Sequence, residues 1–185
     1  MGLVEIRWHG RGGQGVVTSA EMLVSAAIYE GKYAIAIPFF GAERRGAPVV
    51  AYNRISDTPI RTRCPILNPD YVVLLDERLG RMIDVVRGLK SDGVLVVNSK
   101  SVPEWVDRKD IRIATVDATS ISMSLGLELA GIVIVNMPML GALIKVSNIV
   151  SLNSLTKAIK AKWKGERMKQ NLEAVTRAYN ETVIW

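Results

Sequence analysis

Apolar residues recur with two periods along the chain, and the switches between them mark out the elements. Alternation from Leu3 to Trp8 predicts a strand. The glycine-rich turn Gly10-Arg11-Gly12-Gly13-Gln14-Gly15 follows, and from Gln14 to Tyr29 the spacing of Val17, Ala20, Val24 and Ala27 predicts a helix that Gly31 ends. Tyr33 to Ile37 reads as a short strand and Pro38 to Pro48 as a loop. Val49 to Ile55 alternates again, Ser56-Asp57-Thr58-Pro59 turns, and Ile60 to Arg63 returns, which predicts a hairpin.

Beyond Asn68-Pro69-Asp70 the pattern changes to unbroken apolar runs, Tyr71 to Leu75 and Val94 to Val97, the signature of strands buried on both faces. A helix over Leu79 to Leu89, a short one over Pro103 to Val106 and a strand over Ile111 to Val116 complete two further βα units. Asp117 is placed to cap a helix running through Leu125. A helix kinked or started at Pro138 lies within Val133 to Val146, and helices over Leu152 to Trp163 and Glu166 to Thr182 end the chain. Strand after helix after strand predicts an α/β fold: three layers, doubly wound on a mostly parallel sheet with an antiparallel hairpin, in one domain over residues 1–185.

Composition narrows the chemistry. Of 185 residues 49% are apolar and 23% charged, enough for a sizeable core. The segment Gly131 to Ala142 is too short to span a bilayer and contains Pro138, and the amino terminus is strand-like, so the expectation is a cytoplasmic protein without membrane attachment. Cys64 and His9 are each the sole residue of their kind, which argues against a disulfide, a thiolate metal cage or a histidine-rich metal site. His9, beside the glycine turn, either contacts a ligand or closes a strand by bonding backbone. The net charge of +6 concentrates in Lys157, Lys160, Lys162, Lys164, Arg167 and Lys169, faced by Glu166 alone. With no interleaved aromatic pattern, this tract reads as a solvated helix face rather than a nucleic-acid site.

The turn carries the strongest chemical signal. Gly10, Gly12 and Gly15 match G-x-G-x-x-G between a strand and a helix, where unpaired helix amides and the positive end of the helix dipole favour an anion. Arg11 can fork onto a phosphate or a carboxylate. A dinucleotide site also wants an acidic residue at the end of the second strand, about 20 residues on. Here Pro38-Phe39-Phe40-Gly41 stands instead, which disfavours NAD, while Glu43, Arg44 and Arg45 in the following loop can share a rim with the turn or pair across a subunit boundary.

Three stretches, Glu5 to Gly15, Pro38 to Pro48 and Pro69 to Val73, together with Val116-Asp117-Ala118-Thr119 and Asn136 to Ala142, resemble the gamma subunit of the pyruvate (2-oxoacid):ferredoxin oxidoreductase (pyruvate synthase) family. The likeness covers most of the chain, and the basic carboxy-terminal third adds little to it. It implies a component of a multisubunit enzyme that oxidatively decarboxylates a 2-oxoacid with coenzyme A, giving acyl-CoA and CO2 and reducing ferredoxin. The complex would use thiamine diphosphate, Mg, iron–sulfur clusters and coenzyme A, with thiamine-binding alpha and beta subunits and a ferredoxin-like delta subunit as partners. This chain has no Gly-Asp-Gly start of a thiamine-diphosphate motif and would bind none of these cofactors alone. Its implied part is to support coenzyme A binding and assembly through Gly10, Arg11, Gly12, Gly13, Gln14, Gly15, Glu43, Arg44 and Arg45. Other classes open to the same residues are a stand-alone NADP- or flavin-binding reductase and a non-catalytic scaffold module.

Overall fold

A computed structural model describes residues 2–39 and 46–185. In chain order the first elements are β1 (Val4–Arg11), α1 (Val16–Ile28), β2 (Tyr33–Phe39), β3 (Pro48–Ser56), β4 (Tyr71–Leu74), β5 (Val94–Asn98) and β6 (Arg112–Val116). They are followed by α2 (Ala118–Ser124), the two-residue strands β7 (Glu128–Leu129) and β8 (Ile132–Val133), α3 (Asn136–Ser147), α4 (Leu152–Lys162), α5 (Gly165–Glu181) and β9 (Val183–Ile184). The main sheet runs β2-β3-β1-β4-β5-β6-β9. Its centre, β1-β4-β5-β6, is parallel, whereas β2 and β3 pair antiparallel with each other, β3 pairs antiparallel with β1, and β9 closes the far edge. The expected α/β class, a sheet parallel at its centre with antiparallel strands at one side, is the architecture found, but the antiparallel pair is β2 with β3 and not the expected hairpin of residues 49–63.

The unbroken apolar runs are explained by burial on both faces. Val73, Leu75, Val94 and Val96 join Ile6 and Trp8 in a core shared with α1, α3, α4 and α5, while Val72, Leu74, Leu95 and Val97 point the other way into a smaller core with Leu79, Val85 and Leu89. One polar residue ties the larger core together. Asn53 is fully buried, accepts from Trp8 Nε1 at 2.8 Å, and donates to the carbonyls of Ala20 at 3.0 Å and Ile35 at 3.1 Å. Three strands and a helix thus share one satisfied amide, which fixes their register.

The structure departs from the sequence expectation in four places. The strand over residues 49–55 forms, but its partners are β1 and β2, and Ile60 to Arg63 makes no strand. Arg54 Nη1 takes the carbonyls of Thr62 at 3.3 Å and Cys64 at 2.7 Å, so that segment lies against β3 as a loop between Pro59 and Pro65. In place of a helix over Leu79 to Leu89 there is a short 3-10 turn, Glu77–Arg81, and then irregular backbone. Buried Arg7 draws the carbonyls of Val85 at 3.0 Å and Arg87 at 2.5 Å onto its guanidinium, spending groups a helix would need. Residues 103–106 form only a turn, closed by Val106 N–H on the Pro103 carbonyl. Residues 134 and 135 separate β8 from α3, which begins at Asn136 and carries Pro138 in its first turn, where a missing N–H costs nothing. Among the described residues, no helix is long and apolar enough to cross a membrane.

Candidate functional site

The glycine turn is a tightly packed hinge between β1 and α1. A Cβ on Gly10 would lie 2.5 Å from Val16 Cγ2 and 3.1 Å from Leu75 Cβ, so strand and helix meet as closely as they do only because that carbon is missing. Gly13 and Gly15 have φ of +100° and +86°, and Gly15 forms the left-handed N-cap of α1. The Gln14 side chain accepts from the Arg11 amide at 2.7 Å while its own amide donates to the Arg11 carbonyl at 3.0 Å, closing the turn on itself. Gly12 exchanges backbone bonds with Gly46 and Ala47, anchoring the turn to the start of β3.

Arg11 is held from several sides. Its Nε donates to Asp76 at 2.5 Å, beyond the end of β4, and its Nη1 to the Gly46 carbonyl at 3.2 Å. The side chain still lines the cleft described below, but most of its forked donor set is spent on joining the carboxyl ends of β1 and β4. His9 is not among the lining residues. It is buried on the opposite face of the sheet, where its Nε2 accepts from Arg7 Nε at 3.1 Å and its Nδ1 has no partner among the described residues. Burial, and then the Arg7 charge, depress its pKa to about 3, so the ring is neutral.

The cleft opens over the amino end of α1 and has a volume of about 510 Å³. Arg11, Gly12, Gly13 and Gly15 form one wall with the first turn of α1, Val16 to Thr18, whose amides no side chain caps among the described residues. The amino end of α3 meets the same space: Ser19 Oγ bridges the carbonyls of Gly15 and Asn136, both at 3.3 Å. Asn136 is 5% exposed; its Oδ1 accepts from the Met137 amide at 2.8 Å, and its Nδ2, lying against Gly15, has no acceptor among the described residues. Two helix amino ends therefore direct positive potential into one cavity.

The facing wall comes from the carboxy-terminal helices: Lys162, Trp163, Arg167 and the buried Asn171. Lys162 lies 5.6 Å above the Trp163 ring and within 3.6 Å of Glu21. Leu127, Leu129 and Ile134 make the remaining side apolar, and Glu128 is the sole carboxylate among the described lining residues. Such a site suits a ligand with both phosphate and apolar parts.

Of the residues singled out in the sequence, Arg11, Gly12, Gly13 and Gly15 line this cleft, while Gly10 and Gln14 shape the turn beneath it. Glu43, Arg44 and Arg45 lie outside the described residues. Sequence reasoning missed Asn136, Lys162, Trp163, Arg167 and Asn171. The basic tract is visible in the sequence, yet nothing in its spacing tells which of its exposed side chains border the cleft.

A family model described as pyruvate ferredoxin/flavodoxin oxidoreductase matches residues 5–181. The chain belongs to that family. Among other pyruvate ferredoxin/flavodoxin oxidoreductase chains, it is 50% identical over 179 residues to pyruvate synthase subunit PorC of Methanothermobacter thermautotrophicus, covering 97% of this chain and 96% of that one. It is 46% identical over 187 residues to the pyruvate/ketoisovalerate oxidoreductases common subunit gamma of Thermococcus litoralis, covering 99% of each. The crystal structure of pyruvate oxidoreductase subunit PORC from Thermotoga maritima superposes with a TM-score of 0.85 at 40% identity, covering 100% of this chain and 99% of that one. The resemblance drawn from the glycine turn and the Pro38 to Pro48 stretch is thus met by full-length relatives, and the chain is of the gamma-subunit type within an oxidoreductase family.

Proposed function

We propose that this chain is the gamma subunit of a cytoplasmic complex that oxidatively decarboxylates pyruvate or a related 2-oxoacid with coenzyme A, and that its part is to hold coenzyme A and help assemble the complex. In this reading residues 1–185 act as one domain, the thiamine-binding alpha and beta subunits carry thiamine diphosphate and Mg, and a ferredoxin-like delta subunit carries iron–sulfur clusters toward ferredoxin.

The observation that supports the coenzyme A role is the cleft itself, where the first amides of α1 and Asn136 Nδ2, which has no acceptor among the described residues, face Lys162 and Arg167 across about 510 Å³. Coenzyme A is a pyrophosphate and a ribose phosphate joined to an adenine and a long flexible arm. Its phosphates suit the amide and cationic walls, and its apolar parts suit Trp163 and the leucines. Lys162 and Arg167 would neutralise phosphate charge, Asn136 would donate to a phosphate oxygen, and the Gly13–Gly15 backbone would let the ligand approach closely. Glu43, Arg44 and Arg45 keep the part given to them by the family resemblance, as further groups at the rim or at a subunit boundary.

The test is steady-state kinetics of the assembled complex carrying Lys162→Ala with Arg167→Ala, and separately Arg44→Ala with Arg45→Ala. The first pair is expected to raise the KM for coenzyme A at least tenfold and leave the KM for the 2-oxoacid unchanged. An unchanged KM for coenzyme A in both variants would remove the ligand role, and failed assembly of the second with normal kinetics of the first would place Arg44 and Arg45 at a subunit boundary.

A further inference from the structure

Among the described residues, the face of the sheet turned away from the helices is covered more fully at one end than at the other. In the antiparallel register Ile35 stands beside Arg54, Ile37 beside Tyr52 and Phe39 beside Val50, so these residues share a face with Arg7 and His9 of β1. Over β4 and β5 that face is covered by the smaller core. Over β2 and β3 the cover is partial among the described residues: Tyr52 and Arg54 are buried, Ile35, Ile37 and Val50 are half-buried and belong to neither hydrophobic cluster, and Phe39 is 53% exposed, touching Tyr52 edge-on at 6.5 Å. An apolar strip on the edge strand of a sheet is a surface that soluble proteins normally cover.

The segments flanking the strip have a definite sign. Arg54 ties residues 62 and 64 to one of its ends, and Arg7 and Arg11 tie Arg87 and Met82 along its β1 side. Residues 60–67 and 77–87 bring Arg61, Arg63, Arg78, Arg81 and Arg87 to the surface against Glu77 and Asp84 alone, and add the exposed Leu67 and Met82. We propose that this strip docks an acidic, apolar-centred surface of a larger partner subunit. Charge decides the occupant. A second copy of the chain, meeting the strip about a twofold axis, would set these arginines against their own counterparts; a nucleic acid would use the charge but gain nothing from Ile35, Ile37 and Phe39. An acidic protein surface uses both, with an aromatic and arginines in the proportions usual at such contacts. The assignment rests on the reading of this chain as a subunit. It also leaves the coenzyme A cleft, on the helical side, open.

Co-expression of the tagged chain with its thiamine-binding subunits, and their association measured against salt concentration, tests the assignment. Phe39→Ser and the pair Arg61→Glu with Arg63→Glu are each expected to weaken association at least tenfold. The arginine pair should also flatten its salt dependence, and Lys157→Glu with Lys160→Glu on α4 should change neither. Thermal unfolding of each isolated variant close to wild type separates lost docking from lost fold. Undiminished association of both strip variants would overturn the proposal, as would an equal loss for the α4 pair, or an isolated wild-type dimer that Phe39→Ser converts to a monomer. Normal assembly of the strip variants beside a raised KM for coenzyme A in the Lys162, Arg167 variant would overturn the docking site alone.

Discussion

Replacing Gly15 by Ala tests the close approach of α1 and α3 from which the cleft is built. Gly15 has φ of +86°, and its added Cβ would lie 2.5 Å from Asn136 Nδ2, 2.8 Å from Cγ and 2.9 Å from Cβ. Left-handed backbone costs an L-residue about 1–2 kcal/mol. Displacing a buried, well-packed neighbour adds about 1–3 kcal/mol, for roughly 2–5 kcal/mol in all. Gly31 isolates the first part, because its φ is +71° and nothing lies within 4 Å of its Cβ position. At about 2–4 °C per kcal/mol for a chain of this size, Gly31→Ala should lower Tm by roughly 2–8 °C. Gly15→Ala should lower it at least twice as far. Asn136→Ala removes two of the three obstructing atoms, so the Gly15→Ala, Asn136→Ala double variant should be less destabilised than the sum of the single ones. Circular dichroism melts of the four variants decide it. Equal losses at Gly15 and Gly31, or strict additivity of the pair, would refute the packing of the two helix ends.

Arg54 is 4% exposed and bonds Glu5 at 2.8 Å as well as two carbonyls, so Arg54→Met strands a half-buried carboxylate and should cost about 3 kcal/mol or more in urea unfolding. Asn53→Leu should cost about 2–4 kcal/mol by the same measurement, since Trp8 Nε1 and two carbonyls lose their partner in the core. His9 holds its folded pKa at about 3, below the unfolded value near 6.5, so between these pH values the unfolded chain binds the extra proton and stability falls with acidification. The loss should reach up to about 1.4 kcal/mol per pH unit. His9→Asn should lack that part of the slope, and parallel stability–pH curves for the two proteins would contradict it.

The parts of the fold that local chemistry dictates were legible in the sequence. β1, its glycine turn and α1 follow from a change of hydrophobic period, and β4 and β5 from runs such as Val72 to Leu75 that have a core on either side. What escaped depends on distant partners. The apolar spacing from Leu79 to Leu89 looks helical, but Gly80 packs so tightly on the Trp105 ring that a Cβ would lie 2.2 Å from it, and Arg7, more than seventy residues earlier, claims the carbonyls of Val85 and Arg87. β9 is two residues long and exists because α5 delivers it to the edge of β6. The anion-facing half of the site was visible as G-x-G-x-x-G. Its opposite wall was not, because Lys162 and Arg167, exposed like Lys157 and Lys160, are told from them as cleft residues only once α4 is seen to pack on α1.

The central claim, that coenzyme A lies against the amino ends of α1 and α3, is tested most directly by amide hydrogen exchange of the assembled complex with and without saturating coenzyme A. Slower exchange is predicted at Gly12 to Thr18, at Asn136 and Met137, and around Arg167. Protection confined to the thiamine-binding subunits, with these amides of the gamma-type chain unchanged, would contradict it.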